Sequence, residues 1–114
     1  MSTEVGRRAE QEAARFLVRR GYKIVAQNWR TRWCEIDIIV RKHDVVYFVE
    51  VKYRGNTRQG SGLDYITPKK LAQMHFAAEF WLARNAQAGQ DYRLAALEVA
   101  GVTYDVVAWL DDVS

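Results

Sequence analysis

Glu35-Ile36-Asp37-Ile38-Ile39-Val40, a break of Arg41-Lys42-His43-Asp44, and then Val45-Val46-Tyr47-Phe48-Val49-Glu50-Val51-Lys52 form the stretch on which the fold turns. Both runs are rich in β-branched and aromatic residues and the break between them is charged, so the pair reads as a β-hairpin. If His43-Asp44 is a two-residue turn, Asp37 falls directly opposite Glu50, and Lys52 follows opposite Glu35; a four-residue loop on the same centre keeps that register. Alternation sets Glu35, Asp37 and Ile39 on one face of the first strand, and Val46, Phe48, Glu50 and Lys52 on one face of the second. Directly opposed residues have β-carbons roughly 4.5–5.5 Å apart. Two like charges about 4 Å apart repel by about 4 kcal/mol at an effective dielectric near 20. A strand pair selected only for stability avoids this. Two facing carboxylates beside a lysine instead suit a divalent cation such as Mg²⁺, which takes oxygen ligands and keeps several waters. The plainer reading is a surface ion cluster in which Lys52 pairs with the acids and contributes little.

Upstream of the hairpin, Val5, Ala9, Ala13, Ala14, Phe16 and Leu17 share one half of a helical wheel, with Arg8, Glu12, Arg15 and Arg19 on the other. Ser2 or Thr3 can cap the start, and Arg19-Arg20-Gly21 is a regular ending, with cations and then a glycine. Glu10 lies near the edge of the apolar arc, beside Ala14 and Leu17. A carboxylate directed toward the sheet has a reason if cationic charge waits there; otherwise it snorkels from the arc's edge. Tyr22-Lys23-Ile24-Val25-Ala26 reads as a short strand. Downstream, Arg54-Gly55-Asn56-Thr57-Arg58-Gln59-Gly60-Ser61-Gly62 reads as a long loop. Thr67-Pro68 then opens a second helix that carries Leu71, Met74, Ala78, Trp81, Leu82 and Asn85 and runs to about Gly89. Tyr92 to Leu110 holds two strand-like runs parted by Ala100-Gly101. The order α-β-β-β-α-β-β implies an α/β fold, a mixed sheet with helices packed on it.

At 114 residues with 49% hydrophobic and 27% charged composition, the chain is expected to be one domain spanning 1–114, large enough for a single core. The lone Cys34 excludes an internal disulfide framework and a multi-cysteine zinc site. It reads as a half-buried small side chain rather than a nucleophile, since no histidine is placed near it. His43 and His75 receive no role. Apolar runs such as Val106–Leu110 fall far short of the ~20 residues of a membrane span, and no signal peptide is visible, so a cytoplasmic protein without membrane contact is expected. The net charge of +3 conceals an asymmetry: residues 1–58 carry 13 Lys/Arg against 7 Asp/Glu, and residues 59–114 carry 4 against 7. Ten of the 12 arginines lie in the basic half. Arginine is the donor fork suited to phosphate, so nucleic acid is the first partner to consider; a merely solvated basic face is the alternative.

The ordered set Glu10, Asp37 and Glu50-Val51-Lys52 resembles the PD-(D/E)xK nuclease superfamily, whose core is a helix followed by a hairpin carrying Asp and Glu-x-Lys. The closer resemblance is to the YraN-type family, uncharacterised bacterial proteins predicted to be endonucleases distantly related to archaeal Holliday-junction resolvases. The matching stretches are Gly6 to Glu10, Phe16-Leu17 with Gly21-Tyr22, Asn28-Trp29-Arg30, Glu35 to Ile39, Phe48 to Arg54, and Thr67-Pro68-Lys69-Lys70, together spanning about residues 6–85. Cys34 stands where the family usually has Gly. The family's late Arg-Phe-Asp corresponds either to Arg93-Leu94-Ala95 or to Thr103-Tyr104-Asp105.

The resemblance implies a restriction-endonuclease-like fold and a metal-dependent phosphodiesterase acting on DNA. Asp37, Glu50 and the Val51 carbonyl would hold Mg²⁺ or Mn²⁺, and Glu10 a second ion or its waters. Lys52 would position or help deprotonate the attacking water. Lys70 would contact phosphate from the second helix's N-terminus. Arg54 and Arg58 in the glycine loop, with Arg30 and Arg32 before the second strand, would bind the backbone. Trp29, Trp33 and Tyr53 are candidates to stack on unpaired bases, although such aromatics more often belong to the core. A catalytically inactive nucleic-acid-binding module of the same fold is the main rival. Because resolvase-like enzymes typically work as symmetric pairs, a homodimer through the apolar residues between Val102 and Leu110 is a further expectation.

Overall fold

The computed structural model describes residues 3–55 and 65–114. Its elements run α1 (Glu4–Arg19), β1 (Lys23–Arg30), β2 (Glu35–Lys42), β3 (Val45–Arg54), α2 (Pro68–Arg84), β4 (Tyr92–Ala100) and β5 (Asp105–Leu110). The five strands form one mixed sheet in the order β1-β2-β3-β4-β5. All neighbours are antiparallel except β3 and β4, which run parallel and are joined through α2. No helix among the described residues is long and apolar enough to cross a membrane.

Local chemistry accounts for most of these boundaries. The Thr3 hydroxyl accepts the Gly6 N–H at 2.9 Å and caps α1, and the Thr67 hydroxyl accepts the Lys70 N–H at 3.1 Å and caps α2, each filling one of the orphan donors of a helix start. His43 and Asp44 have φ of +52° and +64°, the positive values at both central positions that a type I′ hairpin turn requires. The hairpin register is the expected one, with Ile38 opposite Val49 and Lys42 opposite Val45.

Two elements differ from the sequence reading. β1 is not confined to Tyr22–Ala26 but continues to Arg30, with a bulge between Ile24 and Ala26 and Asn28 at φ +52°. α2 ends at Arg84 rather than near Gly89, because the Asn85 amide folds back onto the Trp81 carbonyl at 2.9 Å and Ala86 turns to φ +55°.

Each helix covers one face of the sheet. Ala9, Ala13 and Leu17 of α1 pack on Ile38, Val40, Val49, Ala95, Leu97 and Val99. Met74, Ala77, Ala78, Trp81 and Leu82 of α2 pack on Ile36, Ile39, Val46, Phe48 and Leu94. Leu94 through Ala100 are all buried, as expected of an inner strand covered on both faces. Val5, assigned to the apolar arc of α1, is exposed.

Candidate functional site

The hairpin that carries the acids opens at its far end. Pairing between β2 and β3 stops at Ile38–Val49, and beyond it Oδ2 of Asp37 accepts the Val51 N–H at 2.8 Å. A side-chain carboxylate takes the place that a ladder carbonyl would fill. Ile36 packs in the same cluster as Ile39, three residues on, whereas Ile38 and Val40 pack on the other face. Strict alternation from Glu35 to Ile39 therefore fails, and its phase shifts around Asp37. The expected pairing of Lys52 with Glu35 does not form: Glu35 lies 3.6 Å from Arg30, its ladder partner in β1, and the residue beside Lys52 across the sheet is Glu98 of β4.

Around this opening three elements contribute acids, divided between two clefts. Glu10 of α1 and Asp37 of β2 line a cleft of about 230 Å³ with Asn28, Arg30 and Glu35. Glu50 of β3 lines a second cleft, about 460 Å³, with Lys69 and Lys70, and Glu35 borders both. Burial first, and then the Glu50 charge, push the Asp37 carboxyl up to about 7, against the opposing effect of the Val51 N–H. Burial also raises the Glu10 carboxyl above its ordinary value, while the side chain of Asn28 and the charge of Arg30 act in the opposite direction. Oε1 of Glu10 is buried with no hydrogen-bond partner among the described residues.

The cations are arranged differently from the sequence expectation. Lys70, assigned to phosphate, lies with Nζ 2.9 Å from Oε2 of Glu50. Lys52 is exposed, and its ammonium sits 5.7 Å from the centroid of the Tyr65 ring. Arg54 is not a loop residue: it ends β3, and its Nε lies 3.1 Å from Oε2 of Glu98, a carboxylate whose side chain is 2% exposed. Burying an unpaired charge is costly, and this guanidinium offsets the charge of Glu98. Arg30 ends β1 rather than lying in a connection, and Arg32 lies in the β1–β2 turn over the Trp33 ring, at 5.3 Å. Arg58 and most of the glycine loop lie outside the described residues. Of the candidate stacking residues, Trp29 packs against Phe80 and Tyr53 stacks on Tyr104 with its hydroxyl on the Gly101 carbonyl. Trp33 alone of the three is exposed.

Three participants escaped the sequence reading. Asn28 adopts a left-handed backbone (φ +52°) that few residues other than glycine accept, and nothing in the sequence around it marks a site residue. Glu98 is the lone acid in an apolar strand, a signal that was available. Tyr65 lies near enough to Glu50 and Glu98 that their charges, after burial, raise its hydroxyl pKa.

The donor set consists of hard oxygens, with one carboxylate substantially desolvated and another holding a buried, unpartnered oxygen, and this composition fits Mg²⁺ or Mn²⁺. Among the described residues no three His, Cys, Asp or Glu side chains close into a metal cage.

Comparison with known proteins is in keeping with the sequence motifs. A family model described as "Uncharacterised protein family UPF0102" matches residues 9–108. The chain is 42% identical over 82 residues to a UPF0102 protein of Syntrophomonas wolfei, covering 72% of this chain and 71% of the relative. It is 40% identical over 100 residues to one from Thermus thermophilus, covering 88% and 87%. A relative from Nitrosococcus oceani is 35% identical over 111 residues, covering 94% and 88%.

Proposed function

We propose that this chain, which belongs to the uncharacterised protein family UPF0102, is a metal-dependent nuclease that hydrolyses phosphodiester bonds of DNA, with structured, branched or single-stranded DNA as its substrate. The observation that carries this reading is the meeting of Glu10 and Asp37 in one cleft where β2 and β3 part, with Asp37 desolvated, bonded to Val51 and near enough to Glu50 to feel its charge. Asp37, Glu50 and the Val51 carbonyl would hold Mg²⁺ or Mn²⁺, with Glu10 on a second ion or its waters. When bound, the metal supplies positive charge to the phosphoryl oxygens and an acidified water. Lys52 positions that water or helps take its proton and offsets charge developing on phosphorus. Lys70 leaves Glu50 to meet phosphate at the start of α2. Arg30 and Arg32 bind the sugar-phosphate backbone, with Arg58 as a further candidate.

A nuclease assay on branched, single-stranded and duplex DNA with Mg²⁺ and with Mn²⁺ tests this reading. Glu50→Gln and Lys52→Ala are expected to abolish cutting while leaving DNA affinity within a few-fold, and Arg32→Ala to weaken binding and flatten its salt dependence. One observation favours the second reading, an inactive nucleic-acid-binding module: the Lys70 ammonium already neutralises Glu50. Salt-dependent DNA binding by wild type, with no cleavage of any substrate under either metal, would establish that alternative.

A further inference from the structure

Trp33 and Phe76 are 63% and 52% exposed. Large aromatic side chains are costly to leave in water unless something covers them. These two are not stray side chains. Both meet Phe80, Trp33 at 5.9 Å and Phe76 at 5.8 Å between ring centroids, and Phe80 in turn meets Trp29 at 6.0 Å. The exposed rings are therefore anchored on the half-buried Phe80 and Trp29. The backbone under Trp33 is also fixed: the Thr31 hydroxyl accepts the N–H groups of Trp33 and Cys34, each at 3.1 Å, and the Thr31 N–H donates to the Cys34 carbonyl at 2.8 Å. A residue serving only stability would be turned inward from so rigid a turn.

We infer that Trp33 and Phe76 form a stacking platform for an unpaired nucleobase, so that the site selects nucleic acid in which a strand has left its duplex. This rests on the reading of the neighbouring acids as a phosphodiester-cleaving centre. The two rings border the same cleft of about 460 Å³ as Glu50 and Lys70, so a base on the platform would place its own backbone beside the acids. The charge around the rings fits this occupant. Arg32 lies over Trp33, Arg84 lies 5.5 Å from the Phe80 centroid, and Lys69 borders the cleft. Exposed rings with Arg32, Arg84 and Lys69 close by complement a base on a phosphate chain, with Glu35 and Glu50 on the same cleft, whereas a fully paired duplex keeps its base faces stacked internally and offers the platform nothing. Trp29 and Tyr53, the other sequence candidates, are half-buried, whereas Trp33 is exposed.

The test is equilibrium binding in EDTA, where no cutting can interfere, of a fluorescent duplex with a short unpaired adenine arm and of the same duplex with an abasic arm. Wild type is expected to favour the adenine arm roughly tenfold, in line with stacking on an aromatic side chain. Trp33→Ala is expected to remove that preference while binding the abasic arm as wild type does, and Trp33→Phe to retain most of it. A matched RNA arm separates the two sources of an unpaired base. Stacking is indifferent to the sugar, and a gain over the abasic counterpart with either arm supports the platform. Equal affinity for adenine and abasic arms overturns the inference, as does a preference that survives Trp33→Ala combined with Phe76→Ala. It is also overturned if Trp33→Ala turns a dimer into a monomer in sedimentation and leaves the base dependence unchanged, since the rings then bind a second copy of the chain. Base-dependent binding with no metal-dependent cleavage would defeat the nuclease reading alone. Equal cutting of blunt and armed duplexes, without base-dependent binding, would defeat the platform alone.

Discussion

Asp37 is an acid held where its charge is disfavoured. Its carboxyl has an ordinary value of 3.8 and is pushed up to about 7 in the fold. Because the folded value lies above the unfolded one, its contribution to stability is whole below about pH 4 and is lost as the pH rises to about 7. Metal-free protein is therefore expected to lose stability across that interval, and divalent metal to restore it. Asparagine keeps an oxygen to accept the Val51 N–H but carries no charge. Near pH 8 without metal, Asp37→Asn is expected to melt roughly 5 °C above wild type, about 1 kcal/mol in a domain of this size. A lower melting temperature for the variant would show that the bond to Val51 outweighs the repulsion. Lys70 is the counterpart on Glu50, a resident cation in competition with any ion from solution. Lys70→Met is expected to tighten Mn²⁺ binding several-fold by calorimetry while weakening DNA binding. Unchanged Mn²⁺ affinity would remove the competition.

Strand β4 carries its one acid, Glu98, within an otherwise apolar run, and Arg54 at the end of β3 answers it. Removing Arg54 takes the guanidinium away from a carboxylate whose side chain is 2% exposed, so Arg54→Ala is expected to cost about 3–5 kcal/mol in denaturant unfolding. A cost below 1 kcal/mol would mean that the carboxylate reaches water. The same pair marks the limit of what the chain discloses on its own. The hairpin register was legible because it depends only on His43-Asp44 and the alternation of Val45 to Val49, all local. The parallel register of β3 and β4 sets Arg54 beside Ala100, two residues beyond Glu98, and no local pattern encodes that register, so the arginine reads as a loop residue. The shift in alternation around Asp37 was hidden for a similar reason, since Ile36 takes its face from the α2-side core. The C-terminal register is set by pairs such as Leu97 with Trp109 across a bulge near Val107. It places Arg93-Leu94-Ala95 at the start of β4 and Asp105 at the start of β5. Glu10, by contrast, was betrayed by its place beside Ala14 and Leu17 on the helical wheel.

Among the described residues the sheet has β1 and β5 as its edge strands. On the second, Val107 and Leu110 are 41% and 46% exposed, and Val102 in the preceding turn is 87% exposed. An isologous pair formed across this edge would cover them and present two copies of the candidate site. We expect a dimer by light scattering at tens of micromolar, converted to monomer by Val107→Lys. A wild-type monomer, with and without DNA, would remove the expectation. The strand order itself bears on how the molecule comes to be folded. Every sheet neighbour is also a neighbour in sequence, and only the parallel pair must close a long excursion, from Val46 to Tyr92. Closing the β1–β2–β3 meander involves short loops, whereas docking β4 first requires α2 to find its face. In stopped-flow chevrons, truncations in the meander such as Val40→Ala should therefore slow refolding. Leu82→Ala in α2 should act chiefly by speeding unfolding, which would make the crossover the last piece to arrive and the first to leave.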